Sequence, residues 1–309
     1  MLQQLISALR GILSLVLYLG NTLFWFPLVM ITALSKLVVP IPAWRRLTAR
    51  ALNGMADGWV AVNRWHQNLT QPTTWDVQGL EGLRRRGWYL VMSNHQSWVD
   101  ILVLQYVFHR KIPMLKFFIK QGLIWMPFLG LAWWAMEFPF MKRYSAAKLA
   151  KKPWLKGKDL EITQKACAKF RSIPIAVMNF VEGTRFTTHK QERQESPFAR
   201  LLRPKAGGVA TVMGALGEQL DSILNVTISY PQGAVKFWHF LSGKLTEVKV
   251  RVEHLPVTRD LLGNYAEDGE YRARFQTWLN ELWAEKDRML SQLALPPAPV
   301  PVVVPRERD

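Results

Sequence analysis

The amino-acid sequence predicts an α/β fold, a mixed sheet flanked by helices, with an N-terminal membrane-embedded helical segment. Short apolar runs of β-prone residues alternate with longer helical stretches, which is typical of α/β domains. A run of 25 residues without charge, Gly11 to Ser35, lies near the amino terminus. The 309-residue chain is long enough to bury one large core and carry an appendage. We therefore expect a membrane segment at 1–45, an α/β domain at 46–294 and a Pro-rich disordered tail at 295–309.

The charge-free run is the first predicted element. As one helix it would extend roughly 38 Å, which exceeds the hydrocarbon core of a bilayer, about 30 Å thick. It is too long for the apolar core of a signal peptide, which has about 7–15 residues. Gly20-Asn21-Thr22 and Pro27 interrupt the run. A bent or hairpin segment that enters one leaflet without crossing is therefore the alternative to a span.

Basic residues follow this run more often than they precede it. Only Arg10 and the amino terminus come before it, and four basic residues come soon after it. These are Lys36, Arg45, Arg46 and Arg50. Since Lys and Arg accumulate on the cytoplasmic side of membrane segments, we expect a membrane-bound protein, at a bacterial inner membrane, with its large domain on the cytoplasmic face.

The remaining elements follow in order along the chain. Helices are predicted at Leu47–Leu69, Ser97–Val107, Gly207–Leu216 and Tyr271–Leu293. Strands are predicted at Trp88–Ser93, Ile173–Val181, Ile223–Tyr230 and Glu247–Val252.

The composition indicates an anionic partner. Lys and Arg number 40 against 23 Asp and Glu, a net charge of +17, which suits nucleic acid, a phosphate-bearing ligand or an acidic lipid leaflet. Fourteen Trp residues favour the membrane surface, because Trp prefers sites that are apolar at one end and wet at the other. Cys167 is the only cysteine, so no intramolecular disulfide and no cysteine-based metal cluster can form. Such a chain is typical of a reducing compartment.

The segment Asn94-His95-Gln96-Ser97-Trp98-Val99-Asp100 is the first candidate site. It joins a predicted strand to a predicted helix, so His95 lies at the carboxyl end of the strand and Asp100 in the first helical turn. Histidine is the usual general base near neutral pH, and a carboxylate can fix its tautomer and stabilise the imidazolium. Alternatively, His95 only satisfies the turn and Asp100 only interacts with the helix dipole.

The segment Phe180-Val181-Glu182-Gly183-Thr184-Arg185 is the second candidate site. An apolar strand ends here in a glycine backbone, a hydroxyl and a forked guanidinium, which together suit a phosphate dianion. Two further cations are placed to help: Arg143 follows an apolar run, and Lys205 precedes Ala206-Gly207-Gly208. A surface turn with solvated side chains is the alternative for each of them.

Together, the two motifs resemble those of the glycerolipid acyltransferases, most closely the 1-acylglycerol-3-phosphate (lysophosphatidic acid) acyltransferases. Two weaker segments follow the family's order: Glu137–Arg143 resembles the segment that ends in a substrate-phosphate arginine, and Val226–Pro231 resembles the later strand that ends in proline. The resemblance covers roughly residues 80 to 235. The chain departs from the family at Thr227–Ser229, where the family's strand often carries proline, and in the basic stretch Lys142–Lys158, which resembles an insertion. Both departures concern the identity of the acceptor.

The resemblance implies a direct acyl transfer without an acyl-enzyme intermediate, a metal or a cofactor. His95, oriented by Asp100, would take the proton from the 2-hydroxyl of 1-acylglycerol-3-phosphate. The hydroxyl would attack the thioester of acyl-CoA or acyl carrier protein, giving phosphatidic acid for phospholipid biosynthesis. The residues expected to bind the lysolipid phosphate are Arg143, Gly183, Thr184, Arg185 and Lys205, with Glu182 in a supporting role.

The expected partners are a lysophospholipid, an acyl thioester of CoA or of acyl carrier protein, and an anionic membrane surface. A second hypothesis keeps the chemistry and changes the acceptor, for example to lysocardiolipin, because the basic stretch suits a headgroup of higher charge. A third hypothesis, a non-enzymatic membrane or nucleic-acid binder, rests only on the net charge, and no recognised nucleic-acid-binding motif supports it. The stretch Phe117–Phe140 has only Lys120 and Glu137 as charges and carries three Trp. We expect it to be an interfacial element or the lining of an acyl-chain slot.

Overall fold

The structure is a computed structural model that describes residues 1–141, 174–265 and 267–294. The predicted substrate residue Arg143, the basic stretch 142–158 and the tail 295–309 lie outside the described residues. The helices are α1 (Leu2–Val38), α2 (Pro42–Thr70), α3 (Val99–Phe108), α4 (Leu129–Ala135), α5 (Thr188–Arg193), α6 (Ala206–Leu216), α7 (Phe237–Leu241) and α8 (Gly269–Leu293). The strands are β1 (Thr74–Gln78), β2 (Tyr89–Ser93), β3 (Leu115–Phe117), β4 (Ile119–Lys120), β5 (Phe140–Met141), β6 (Ala176–Phe180), β7 (Ser222–Ser229) and β8 (Glu247–Leu255). Short 3-10 helices lie at Gln121–Trp125, Gly217–Gln219 and Arg259–Leu261.

Six strands form a mixed sheet in the order β1-β8-β7-β2-β6-β3. All neighbouring pairs are parallel except β7 and β8, which are antiparallel. The inner strand β2 is buried along its whole length, as expected for a parallel strand whose sequence is a continuous apolar run. The predicted fold class, a mixed sheet flanked by helices, is confirmed.

Helices cover both faces of this sheet. The side chains of β2 alternate between two cores: Leu90 and Met92 pack in the core that includes α6 and α8, while Tyr89 and Val91 pack in the core that includes α3 and α7. Tyr18 of α1 joins the second core. The amino-terminal helix is thus attached to the same face of the sheet as α3 and α7.

Helix α1 is continuous over 37 residues and passes through Pro27 without a break. The hairpin alternative for residues 11–35 is therefore wrong. The chain reverses only after Val38, and α2 begins at Pro42, where proline is tolerated because the first helical N–H has no partner within the helix. Within the described residues, α1 is the one helix long and apolar enough to cross a membrane.

Polar side chains lie on the face of α1 that contacts α2. Asn21 donates from Nδ2 to Asn63 Oδ1 at 2.8 Å, and Gln67 donates from Nε2 to the Tyr18 hydroxyl at 2.7 Å. Asn21 interrupts the apolar run in the sequence. Its side chain is satisfied by this hydrogen bond to α2, and the helix continues through it without a break. The other faces of α1 expose apolar side chains along most of its length.

Candidate active site

The candidate catalytic turn connects β2 to α3 and is held by side chains within and beyond it. Asn94 pairs with the backbone of Ile228 on β7: its Nδ2 donates to the carbonyl and its Oδ1 accepts from the N–H, each at 2.9 Å. The Ser97 hydroxyl donates to the carbonyl of Val235 at 2.6 Å and accepts from the N–H of Val99. The turn therefore has a fixed position at the carboxyl end of the parallel strands.

His95 and Asp100 form a close pair in this turn. The His95 Nδ1 lies 2.8 Å from Asp100 Oδ2, so Nε2 is the ring nitrogen left for proton transfer to a ligand. The His95 ring stacks on Phe180 with a centroid distance of 3.9 Å, and its side chain is 14% exposed. The ring is thus fixed on one face by an aromatic side chain and at one nitrogen by a carboxylate.

Asp100 is itself held by three further donors. Its Oδ2 accepts the N–H groups of Gln96 at 2.6 Å and Ser97 at 2.9 Å, and its Oδ1 accepts the Tyr230 hydroxyl at 2.6 Å. Burial raises the pKa of Tyr230 well above its ordinary value, and the neighbouring Asp100 charge raises it further, so the hydroxyl keeps its proton and acts as a donor. Such a carboxylate orients the imidazole and stabilises its protonated form.

Glu182 connects the two motifs through the hydrogen bonds of its side chain. Its side chain is fully buried; Oε1 accepts the His95 N–H at 3.0 Å and Oε2 accepts the Leu202 N–H at 2.8 Å. Burial raises the pKa of Glu182 to about 8, while the two N–H donors act in the opposite direction. Both oxygens serve as acceptors, which is the hydrogen bonding of a carboxylate. Its contacts are those of a residue that positions the catalytic turn.

The turn after β6 contacts the candidate catalytic turn at two places. Gly183 has φ +71°, a left-handed conformation that favours glycine, and it lets the chain turn back toward the catalytic loop. The Phe186 N–H donates to the His95 carbonyl at 2.7 Å, and the Arg185 guanidinium lies 5.0 Å from the centroid of the Trp98 ring. The two motifs, 80 residues apart in sequence, therefore form one site.

A lysine outside the predicted set also belongs to this turn. Lys190 of α5 donates from Nζ to the Thr184 hydroxyl and to the Arg185 carbonyl, both at 2.9 Å. Lys205 lies at the start of α6, where its backbone N–H donates to the Val181 carbonyl at 2.9 Å and its side chain is exposed. Thr184, Arg185 and Lys190 thus form one cluster. The Lys205 backbone is hydrogen-bonded to Val181, which precedes this cluster in the chain.

Sequence reasoning missed three contributors to the site: Tyr230, Phe180 as the stacking partner of His95, and Lys190. Tyr230 reaches Asp100 across 130 positions, so no local spacing could have indicated it. Lys190 follows the second motif by five residues, and its position near a cationic turn was a signal available in the sequence. Among the described residues, no group of three His, Cys, Asp or Glu side chains could hold a metal ion.

Fold and geometry together define an α/β domain in which a buried carboxylate holds a histidine at the carboxyl end of parallel strands, against a turn that carries Arg185. The family model described as Acyltransferase matches residues 74–230, which include both motifs. Since this match covers half of the chain, the chain belongs to the acyltransferase family. The resemblance to glycerolipid acyltransferases predicted from the two motifs is thereby confirmed.

The proteins that are similar to this chain include a curated relative and a solved structure. Lysocardiolipin acyltransferase 1 from Danio rerio is 26% identical over 131 residues, which are 38% of this chain and 32% of that protein. The chain thus spans about a third of the length of this curated relative. The crystal structure of the 1-acyl-sn-glycerophosphate (LPA) acyltransferase PlsC from Thermotoga maritima matches 92% of this chain and 98% of that chain, with 14% identity and a TM-score of 0.50. This second likeness concerns the fold.

Replacing Tyr230 by Phe tests whether the third donor on Asp100 orients the His95–Asp100 pair. The substitution keeps the ring and removes the hydroxyl. Because a hydrogen bond to a charged acceptor contributes about 1.5–3 kcal/mol, we expect the turnover number to fall by at least roughly tenfold, with a smaller change in KM. The rate of acyl-thioester consumption measures it.

Tyr89→Phe is the matched control for this prediction. Tyr89 lies in the same core, but its hydroxyl accepts the Arg84 N–H at 2.9 Å, away from Asp100. This variant should keep its turnover number. Equal losses in both tyrosine variants would mean that the effect comes from the core rather than from the bond to Asp100.

Replacing Glu182 by Gln tests its role as an acceptor of two backbone N–H groups. An amide supplies one oxygen and one NH₂ group, so one of the two N–H groups would face another donor. A buried donor left unsatisfied costs about 1–3 kcal/mol, and we expect the free energy of unfolding to fall by that amount. Urea denaturation in detergent micelles measures it, with Glu281→Gln on the exposed face of α8 as control. Identical midpoints for the two variants would contradict the positioning role.

Proposed function

We propose that this protein is a membrane-bound O-acyltransferase that transfers a fatty acyl group from a thioester donor to the 2-hydroxyl of 1-acylglycerol-3-phosphate, giving phosphatidic acid. The observation that carries the proposal is the joining of the two motifs: the His95–Asp100 pair and the turn at Arg185 are held together through Glu182 and the Phe186 N–H. This arrangement brings a general base next to a site for an anionic group.

The proposed reaction needs one base and no acyl-enzyme intermediate. His95 Nε2 takes the proton of the 2-hydroxyl while the oxygen attacks the thioester carbonyl carbon. The tetrahedral intermediate then collapses, the carbon–sulfur bond breaks, and the departing thiolate takes the proton back from His95. Asp100 stays ionised and stabilises the imidazolium in between, as carboxylates do in other histidine-based sites. Acyl-CoA and acyl carrier protein are both suitable thioester donors.

The acceptor's phosphate would be bound by the turn after β6. Arg185 offers a forked guanidinium and Thr184 a hydroxyl, Gly183 forms the turn that carries them, and Lys190 adds a second positive charge. Lys205 and Arg143 are proposed to complete the phosphate site. Binding a remote anionic group orients the reacting hydroxyl, which turns a bimolecular encounter into an effectively unimolecular step.

Lysocardiolipin is the second candidate acceptor. The observation that favours it is the 26% identity to lysocardiolipin acyltransferase 1, which is confined to 131 residues. Lysocardiolipin carries phosphate diesters rather than a monoester, so the two acceptors differ in the charge that Arg185 and Lys190 would meet.

We further propose that α1 anchors the protein within one leaflet, at a bacterial inner membrane, with the α/β domain on its cytoplasmic face. The Ser7 hydroxyl donates to the carbonyl of Ser242 at the end of α7, and Ala33 packs in a cluster with Ala135 of α4. Ser7 and Ala33 are roughly 39 Å apart along a helix, more than the hydrocarbon thickness of about 30 Å. A perpendicular span would place parts of one folded domain on both sides of the bilayer. An orientation along the leaflet avoids this conflict.

His95→Ala is expected to remove most of the acyl transfer, because His95 Nε2 is the proposed acceptor of the hydroxyl proton. General-base catalysis contributes typically 10²–10⁴-fold, so the rate should fall by roughly that factor. The measurement is a matrix of two acceptors, lysophosphatidic acid and lysocardiolipin, against two donors, acyl-CoA and acyl carrier protein thioester.

The control is His254→Ala, in which an exposed histidine of β8 that contacts the Gly79 carbonyl is removed. It should transfer acyl groups at the unsubstituted rate. Undiminished transfer by His95→Ala would remove this residue from the mechanism, and comparable rates with an uncharged glycerolipid acceptor would contradict recognition of the phosphate.

Lys190→Met tests the phosphate site separately from the chemistry. The variant keeps the apolar stem and loses the charge and both donated hydrogen bonds. Because Lys190 is partly exposed, we expect a loss of about 1 kcal/mol, a roughly fivefold rise in KM for lysophosphatidic acid with little change in turnover number. Lys111→Met, at an exposed position after α3, is the matched control and should leave both constants unchanged. A fall in turnover number at constant KM would instead place Lys190 in the chemical step.

A further inference from the structure

A charge-free segment between Lys120 and Glu137 exposes large apolar side chains. We call residues 121–136, which comprise the 3-10 helix Gln121–Trp125 and helix α4, the aromatic ledge. Trp125 is 86% exposed, and three further large side chains are between two fifths and half exposed. These are Phe128, Leu131 and Trp134. An exposed apolar group of this size marks a surface that another apolar phase covers.

The backbone of the aromatic ledge satisfies its own hydrogen bonds where it turns. The N–H groups of Met126 and Leu129 donate to the carbonyls of Leu123 and Pro127, and the next helical N–H groups donate within the segment as well. Gly130 packs directly on the carbonyl of Ile124, where a side chain would collide. A segment that pairs its own N–H groups can enter an apolar medium without the penalty of unsatisfied donors.

The aromatic ledge continues the apolar surface of α1. The Phe128 ring contacts Phe26 of α1 edge-on, with a centroid distance of 5.2 Å. Behind it, Ala135 packs with Val29 and Ala33 of α1. The two surfaces are therefore adjacent, and whatever phase covers α1 extends over the ledge.

The charges at the borders of the aromatic ledge suit a phospholipid bilayer better than a protein partner. Lys120 precedes the ledge, and Glu137 just after it pairs with Lys36 of α1 at 3.1 Å. Tryptophan side chains between an apolar phase and a basic border are typical of the membrane interface. No charged side chain within the ledge offers a protein partner an ion pair.

We propose that the aromatic ledge is a second membrane-inserting element, which enters the same leaflet as α1. This proposal rests on the proposed membrane attachment of α1. The ledge is also attached to the sheet near the candidate site: Lys116 of β3 donates to the carbonyl of Met136 at 2.8 Å, and the Phe117 ring lies 6.3 Å from that of Phe180, the stacking partner of His95. The ledge thus adjoins the edge strand β3, which is separated from β2 by β6 alone.

Site-specific fluorescence tests the proposal on the full chain. In a background with Cys167→Ser, single cysteines replace Trp125 on the ledge, Leu19 on the exposed face of α1, and Arg259 on the opposite face of the sheet, and each is labelled with an environment-sensitive fluorophore. The proteins are mixed with vesicles of equal parts phosphatidylethanolamine and phosphatidylglycerol. We expect blue-shifted emission and quenching by spin-labelled lipid at positions 125 and 19, and neither at 259.

The two proposals fail in different ways in this experiment. A label at 125 that stays in water while that at 19 enters the bilayer overturns the ledge proposal and leaves the attachment of α1 standing. Labels that stay in water at both positions overturn both. Acyl transfer to detergent-dispersed lysophosphatidic acid, measured on the same proteins, reports the proposed reaction independently of insertion.

A charge substitution provides a second test that does not depend on labelling. Leu131→Lys places a cation on the exposed face of α4 and should lower the fraction of protein that floats with the vesicles. Gln219→Lys adds the same charge at an exposed site on the opposite face of the sheet and should not lower it. Equal flotation of the two variants would overturn the proposal.

Discussion

The candidate site depends on one buried carboxylate that need not touch the substrate. Asp100 is 1% exposed and is surrounded by four donors. These are the N–H groups of Gln96 and Ser97, the His95 Nδ1 and the Tyr230 hydroxyl. A buried charge is tolerated only where such donors replace water. Since three of these donors, including His95 itself, belong to the turn that carries His95, the folded turn both satisfies the charge and orients the ring.

The need to satisfy buried ionisable groups also applies to a second carboxylate, Glu182, and to a lysine, Lys286. Glu182 lies near Asp100, and the Asp100 charge adds to the rise in the pKa of Glu182. Lys286 of α8 is also buried; its Nζ donates to the Val226 carbonyl at 2.6 Å and to the Thr227 hydroxyl at 3.0 Å. Burial lowers the pKa of Lys286 to about 7, while the charges of Glu253 and Glu182 oppose that change. Helix α8 therefore donates buried hydrogen bonds to β7 besides packing on the sheet.

The sequence was most informative where burial leaves a local pattern. The inner strands β2, β6 and β7 were predicted because a parallel strand covered on both faces is a continuous apolar run. The edge strands β1 and β3 were not, because β1 is half-exposed and β3 has three residues, so neither carries such a run. The same holds for the site. The spacing of His95 and Asp100 predicted their contact. Tyr230 follows β7 and lies 130 positions from Asp100 in the sequence. Its contact with Asp100 depends on the sheet order, which places β7 beside β2.

Helix α1 shows how an apolar run with polar interruptions remains one continuous helix. Buried residues recur on one face of this helix at Gly11, Ser14, Tyr18 and Asn21, and the polar ones among them pair with α2. In water, an amphipathic helix buries its apolar face. A helix surrounded by lipid has no hydrophobic drive toward its neighbour, so small residues and interhelical hydrogen bonds supply the association instead. The polar stripe of α1 faces protein and its apolar faces are exposed, which is the pattern expected of a helix whose solvent is the bilayer. The polar residues that interrupt the apolar run are thus the ones that bind α1 to α2. Tyr18 also attaches α1 to the core that includes α3 and α7.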